Sequence, residues 1–231
     1  MDTSFRLSRR VFISALGLIL ALAAPRNALA QNVLTWGTPQ LITGSSDVVN
    51  TGTEFGAFTA YSSNLVVNGV TFYTLANATN FSATSAGNVS DFGGFSSGDA
   101  TYDHLVNSAV FTPADGSARS LTIDNLVVGH SYTVQLFTPA WDTDWPTKYT
   151  SGANTVDMGN TASAPTYVSG TFTATSTSLT IAYQSTTGFY GMLAAASVRD
   201  VSAVPEPSTY AALAGAAGLI ATAVVRRRRQ A

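Results

Sequence analysis

The chain has no cysteine. That excludes a disulfide framework and thiolate chemistry. Charge is scarce too, at 10% of 231 residues, and its positive share sits almost wholly at the two ends. Arg6, Arg9, Arg10 and Arg26 stand near the start, Arg226 to Arg229 near the finish, and only Arg119, Lys148 and Arg199 between. Residues 31–203 set eleven acidic side chains against those three, a net charge near −8 that the whole-chain value of −2 conceals. An acidic body argues against nucleic acid and anionic polymers as partners. Long apolar runs occur only near each terminus, each beside arginines. No paired carboxylates, Cys/His pair or metal-ligand spacing marks a catalytic centre in the body, so we expect no enzyme and assign no catalytic residue, no metal ligand and no cofactor.

The C-terminal run is the more telling. Tyr210 to Val225 is uncharged and rich in Ala, Leu, Ile and Val. As a helix it would reach roughly 24 Å, short of a hydrocarbon core of about 30 Å, so it would borrow Ser208 and Thr209 or thin the bilayer locally. Arg226, Arg227, Arg228 and Arg229 form a basic stop that cannot cross cheaply and would stay in the cytoplasm, with the body on the other side. Upstream, Pro205 and Pro207 fix φ and remove two backbone donors, so Val204-Pro205-Glu206-Pro207-Ser208 is expected to be extended and exposed. A processing enzyme can grip such a segment.

Those residues, in that order, resemble the PEP-CTERM sorting signal of Gram-negative bacteria. The resemblance covers residues 204–231. It implies recognition by an exosortase-type membrane peptidase, removal of the tail, and display at the cell surface or in an exopolysaccharide matrix by way of an inner-membrane intermediate. Read without it, the same residues make a plain membrane anchor on a stiff linker.

At the other end, Val11 to Ala24 follows Arg6, Arg9 and Arg10, and Ala28-Leu29-Ala30 puts small residues where a signal peptidase reads. Residues 1–30 read as a secretory signal peptide, cleaved before Gln31. Ser8-Arg9-Arg10-Val11-Phe12-Ile13 also resembles a twin-arginine export signal, although the usual lysine is replaced by Ser14. The general and the twin-arginine routes both stay open.

Between the signals, residues 31–203 show no long 3.6-residue apolar period. They show short alternating runs set between Gly, Asn, Asp and Pro. Strands are expected at Val33 to Trp36, Gln40 to Thr43 and Leu65 to Leu75, the last turning at Asn68-Gly69. Tyr132, Val134 and Leu136 share a face, as do Val168, Gly170 and Phe172, and Leu179, Ile181 and Tyr183. Met192 to Val201 closes the domain. Threonine takes the outward positions. Ala76 to Gly98, rich in Ser, Asn and Gly, reads as a long irregular excursion. The fold class is all-β, a β-sandwich in one domain flanked by the signal peptide and the transmembrane helix. From Leu121 to Val201 the order of strands and turns resembles a galactose-binding-like jelly roll, a fold that hosts many functions.

Trp141-Asp142-Thr143-Asp144-Trp145 is the body's most promising binding stretch. Trp141 and Trp145 either pack on the sandwich rim or form a platform for sugar rings, with Asp142 and Asp144 accepting hydroxyl hydrogen bonds. Asp142, Asp144 and Asp157 are also candidate ligands for a structural Ca²⁺. Gly94-Phe95-Ser96-Ser97-Gly98 matches the pattern of a nucleophile elbow. With no strand expected before it and no helix after it, it reads as a flexible loop. Asp99, Asp103 and His104 read as solvated, and the sequons at Asn77, Asn80 and Asn88 as marks of a polar surface.

Overall fold

A computed structural model describes residues 31–140, 145–159 and 165–202. The leader, the sorting motif, the apolar run and the basic stop lie outside them. Among the described residues no helix is long and apolar enough to cross a membrane.

Two sheets carry the body. The larger runs in the order β1 (Thr35–Trp36), β13 (Thr166–Thr173), β10 (Ser131–Phe137), β16 (Ala195–Asp200), β3 (Thr53–Thr59), β5 (Val70–Thr74) and β4 (Leu65–Val67), with β2 (Gln40–Leu41) also paired to β13. The second runs β12 (Asn154–Asp157), β11 (Thr147–Ser151), β14 (Leu179–Ser185), β9 (Arg119–Ile123) and β6 (Phe81–Ala83). From β9 onward the chain crosses from one sheet to the other at nearly every connection. β9 lies in the second sheet, β10 in the first, β11 and β12 in the second, β13 in the first, β14 in the second and β16 in the first. That traffic is the connectivity of a jelly-roll sandwich. A small third sheet joins β15 (Met192–Leu193), β8 (Ala109–Phe111) and β7 (Gly87–Val89).

The period-two pattern places its apolar residues as expected. Tyr132, Val134, Leu136, Val168, Phe172, Leu179, Ile181 and Tyr183 are buried together in the main core. Gly170 leaves space on that face: a Cβ there would stand 3.0 Å from the Trp36 ring and 3.2 Å from Leu34. The Asn68-Gly69 turn joins β4 to β5 with φ of 47° and 77°. That pair of positive values belongs to the hairpin turn whose twist suits its strands.

Two expectations change. Residues 76–98 are not wholly irregular, because they contain β6 and β7. A helix, α1 (Ala100–Val106), follows them. Asp99 caps it by accepting from the N–H groups of Thr101 and Tyr102. Tyr102, Leu105 and Val106 then bury into a second apolar cluster with Ile42, Val48, Val67, Val70 and Phe72. Ala57, Phe137 and Ala195 join this second cluster, whereas their chain neighbours Phe58, Leu136 and Ala196 join the first. Around Ala57, Phe137 and Ala195 the central strands of the larger sheet are therefore covered by apolar residues on both faces. Gln135 sits in that covered region, its Oε1 accepting from Val49 N–H at 3.0 Å and its Nε2 donating to the Asp47 carbonyl at 2.7 Å.

Both ends of the described body are pinned at one pole. The buried Asn32 side chain donates to the carbonyls of Ser176 and Ser178 and accepts from the backbone of Thr175 and Ser176. At the other terminus, Val201 N–H donates to the Ser131 carbonyl, and Ser131 N–H donates to Ser202 Oγ, both at 2.9 Å. Gly129 N–H in turn donates to the Ala174 carbonyl, which brings the two clamps together.

Candidate functional site

A cleft of about 410 Å³ opens where β3 and β6, strands of different sheets, come side by side. Its walls are Glu54 and Phe55 from β3, Tyr73 from β5, and the segment from Asn77 to Phe81. The turn that carries Asn77 is fixed locally: the N–H groups of Asn77 and Ala78 both donate to the Thr74 carbonyl. Asn80 ties the turn to β3, its Nδ2 donating to the Phe55 carbonyl at 3.0 Å, while its Oδ1 accepts from Asn125 Nδ2 at 3.1 Å. Phe81 lies over Gly56, where a Cβ would approach its ring to 2.9 Å, and packs 5.8 Å from Phe58.

At the edge of the cleft, the Glu54 carboxylate is one-third exposed and lies 3.5 Å from the Arg199 guanidinium. Arg199 is almost buried and spends its other donors on the carbonyls of Asn50, Thr51 and Gly52. It orients Glu54 and holds a three-residue turn, so it is not available to grip an anion. A carboxylate, the Asn77 amide, the Thr79 hydroxyl and the exposed Tyr73 ring suit a neutral, hydroxyl-bearing ligand with an apolar face. The amino-acid sequence does not announce this cleft. Its one visible trace there is the pair of sequons at Asn77 and Asn80.

Trp145 lies elsewhere. Its ring stands edge-on to Tyr190 at 5.1 Å, and Tyr190 stands edge-on to Phe111 at 5.3 Å. With Val89 and Met192 they line an apolar depression of about 150 Å³. Gly87 makes room beneath, since a Cβ there would come within 2.5 Å of the Phe111 ring. Trp141, Asp142 and Asp144 lie outside the described residues. Asp157 accepts from Gly159 N–H at 2.9 Å.

The elbow-like stretch differs from expectation in one respect. A helix does follow Ser96, because Asp99 caps it. No strand runs into the serine, however, since β7 ends at Val89. The stretch therefore remains a loop without the strand that an elbow requires. Ser97 is the engaged residue, with its N–H and Oγ both donating to Asp103 Oδ1, at 2.8 and 2.6 Å. His104 Nδ1 lies 2.9 Å from Asp91, and its ring stacks on Tyr61 at 4.6 Å. His130 Nδ1 lies 2.6 Å from Asp200. Burial pushes the Asp200 carboxyl up, but hydrogen bonds from His130 and Ser202 outweigh it and leave the pKa below 3.8. Asn88 Nδ2 donates to the Ala60 carbonyl. Among the described residues no three metal-ligating side chains cluster.

Of the processing sites, the structure describes only Gln31, which is exposed and just precedes the buried Asn32. Residues 203–229 match the model of the PEP-CTERM protein-sorting motif. The tail is a PEP-CTERM sorting signal. It implies an exported chain, recognised by an exosortase at the membrane and directed toward the cell surface. No curated protein matches the chain significantly. Among solved structures, the chain is similar to the CBM22-1 xylan-binding domain from Paenibacillus barcinonensis Xyn10C, at 11% identity and a TM-score of 0.37, over 67% of this chain and 99% of that one. At that score neither fold nor ligand follows from the likeness.

Proposed function

We propose that this chain is a non-catalytic component of the surface or exopolysaccharide matrix of a Gram-negative bacterium. Signal peptidase removes residues 1–30, the tail holds the chain in the inner membrane, and exosortase then cleaves beside Val204-Pro205-Glu206-Pro207-Ser208. The observation that carries this reading is the PEP-CTERM signal at residues 203–229. In the body the acids beside the serine-rich loop are spent on structural hydrogen bonds, Asp99 capping α1 and Asp103 holding Ser97. Cell fractionation with mass spectrometry of the mature C-terminus tests it. The expected product begins at Gln31, lacks Arg226 to Arg229 and is found outside the inner membrane. An intact tail in the membrane fraction, or a cytosolic chain, would sink it.

A second reading, a carbohydrate-binding module, is favoured by the mixed polar and aromatic lining of the Glu54 cleft. Trp145, with Trp141, Asp142 and Asp144 beside it in the chain, offers the other surface for the same task. Retention on the host exopolysaccharide separates them. Loss in Asn77→Ala with Tyr73→Ala assigns the cleft, and loss in Trp145→Ala assigns the aromatic rim. Equal retention by all variants leaves the structural role.

A further inference from the structure

The last described residue is Ser202, and the sorting motif begins two residues later. A fully extended chain spans at most roughly 3.5 Å per residue, so Pro205 cannot stand more than about 10 Å from Ser202 along the backbone. Ser202 is not free to lend further length. Its Oγ accepts from Ser131 N–H, its own N–H donates to Asp200 Oδ1, and Val201 N–H is held by the Ser131 carbonyl. A peptidase that closes on Pro205-Glu206-Pro207 must therefore touch the pole of the sandwich from which the tail leaves.

That pole has a distinct surface. The turn leading into Ser131 carries Val127 and Val128, which are 50% and 57% exposed, and Val201 beside it is 42% exposed. The turn is rigid: Val127 N–H donates to the Tyr132 hydroxyl, His130 N–H to the Val127 carbonyl and Gly129 N–H to the Ala174 carbonyl. His130 and Asp200 close its flank. Gly52 lets a neighbouring loop pack against the exit strand, since a Cβ there would meet the Asp200 carbonyl at 2.6 Å.

We infer that Val127, Val128 and Val201 form a docking surface for the outer face of the membrane-embedded sorting peptidase. The inference rests on the sorting reading above. The partner's matching face would be apolar and would sit beside its motif-binding groove. A rim of this size adds little affinity by itself. It works by holding the body in one orientation while the motif enters, which raises the effective concentration of the motif at the groove.

The test follows tail removal from the full-length chain in cells that hold the peptidase, read as the fraction of protein lacking the C-terminal segment by mass spectrometry. Val127→Lys with Val128→Lys is expected to slow removal roughly tenfold, with an unchanged melting curve for the exported body. Leu41→Lys, at another exposed apolar residue, is expected to behave as wild type. A flexible Gly-Ser spacer of about 12 residues after Ser202, reaching roughly 20 Å, is expected to slow removal in the otherwise wild-type chain and to erase its difference from the double variant, because the freed body no longer orients the motif. Removal at the wild-type rate in the double variant overturns the docking surface, and so does a tenfold difference that persists when both chains carry the spacer. Pro205→Ala with Pro207→Ala separates the two layers: if that variant is still processed normally, the sorting reading falls and this inference falls with it.

Discussion

Asn32 and Ser176 lie 144 residues apart and are joined twice. Asn32 Nδ2 donates to the Ser176 carbonyl at 2.9 Å, and Asn32 Oδ1 accepts from Ser176 N–H at 3.2 Å. The same amide donates to the Ser178 carbonyl and accepts from Thr175 N–H at 2.6 Å. One side chain thereby satisfies four backbone groups of the β13–β14 turn.

Asn32→Ala is expected to destabilise the body by about 1–2 kcal/mol, because a buried side chain loses its hydrogen bonds to four backbone groups of the turn at once. Urea unfolding of the exported protein measures it. Asn32→Asp keeps the acceptor but sets a buried carboxylate oxygen against the Ser176 and Ser178 carbonyls, so a loss at least as large is expected at pH 7.

Two glycines should answer oppositely. A Cβ at Gly191 would lie 2.4 Å from the Gln184 backbone, whereas a Cβ at Gly44 meets nothing within 4 Å. Gly191→Ala is expected to cost roughly 3 kcal/mol or more through forced backbone displacement. Gly44→Ala, at an extended residue, is expected to be neutral or stabilising by a few tenths of a kcal/mol. Thermal melts of the two variants decide this.

Acid stability should depend on Asp47. Partial burial raises its pKa, but hydrogen bonds from Thr43, Gly44 and the Tyr102 hydroxyl outweigh that and bring it below 3.8. A depressed carboxyl stabilises the fold fully above its unfolded value and loses that contribution as pH falls through the folded one. Stability is therefore expected to fall below about pH 4, and Asp47→Asn is expected to flatten that limb at the cost of lower stability near pH 7. Unfolding midpoints across pH 2–7 test the sign; a wild type that gains stability on acidification contradicts it.

Ser96 and Ser97 can be told apart. Ser97→Ala removes a 2.6 Å hydrogen bond to Asp103 and is expected to cost about 1 kcal/mol. Ser96→Ala is expected to change neither stability nor any ester hydrolysis. A total loss of an esterase activity in Ser96→Ala would revive the elbow.

What was legible was local. Alternation in β10, β13 and β14 named the core face residue by residue, and Asn68-Gly69 named its turn, because both signals act over a few positions. The seven residues of α1 are too few to show a helical period, and its cap, Asp99, looked like one more surface acid. Phe137 and Ala195 face a second apolar cluster that only tertiary packing creates, so the rule of polar outward positions failed there. The Glu54 cleft escaped for a related reason: β3 and β6 belong to different sheets, and no run of sequence announces that they meet. The sorting tail was readable since its order of motif, apolar run and arginines is itself the signal.

The two clamps at one pole, Asn32 to the Thr175–Ser178 turn and Ser202 to Ser131, make the body a loop with a closed base. Its entry and departure emerge at the same pole, on strands β1 and β16 that stand three places apart in the larger sheet, and modules whose termini lie close at the surface tolerate grafting. The sandwich is thus suited to insertion into a surface loop of an unrelated host protein. Such a host would need to open its own backbone by about three strand spacings, roughly 15 Å, to carry the guest.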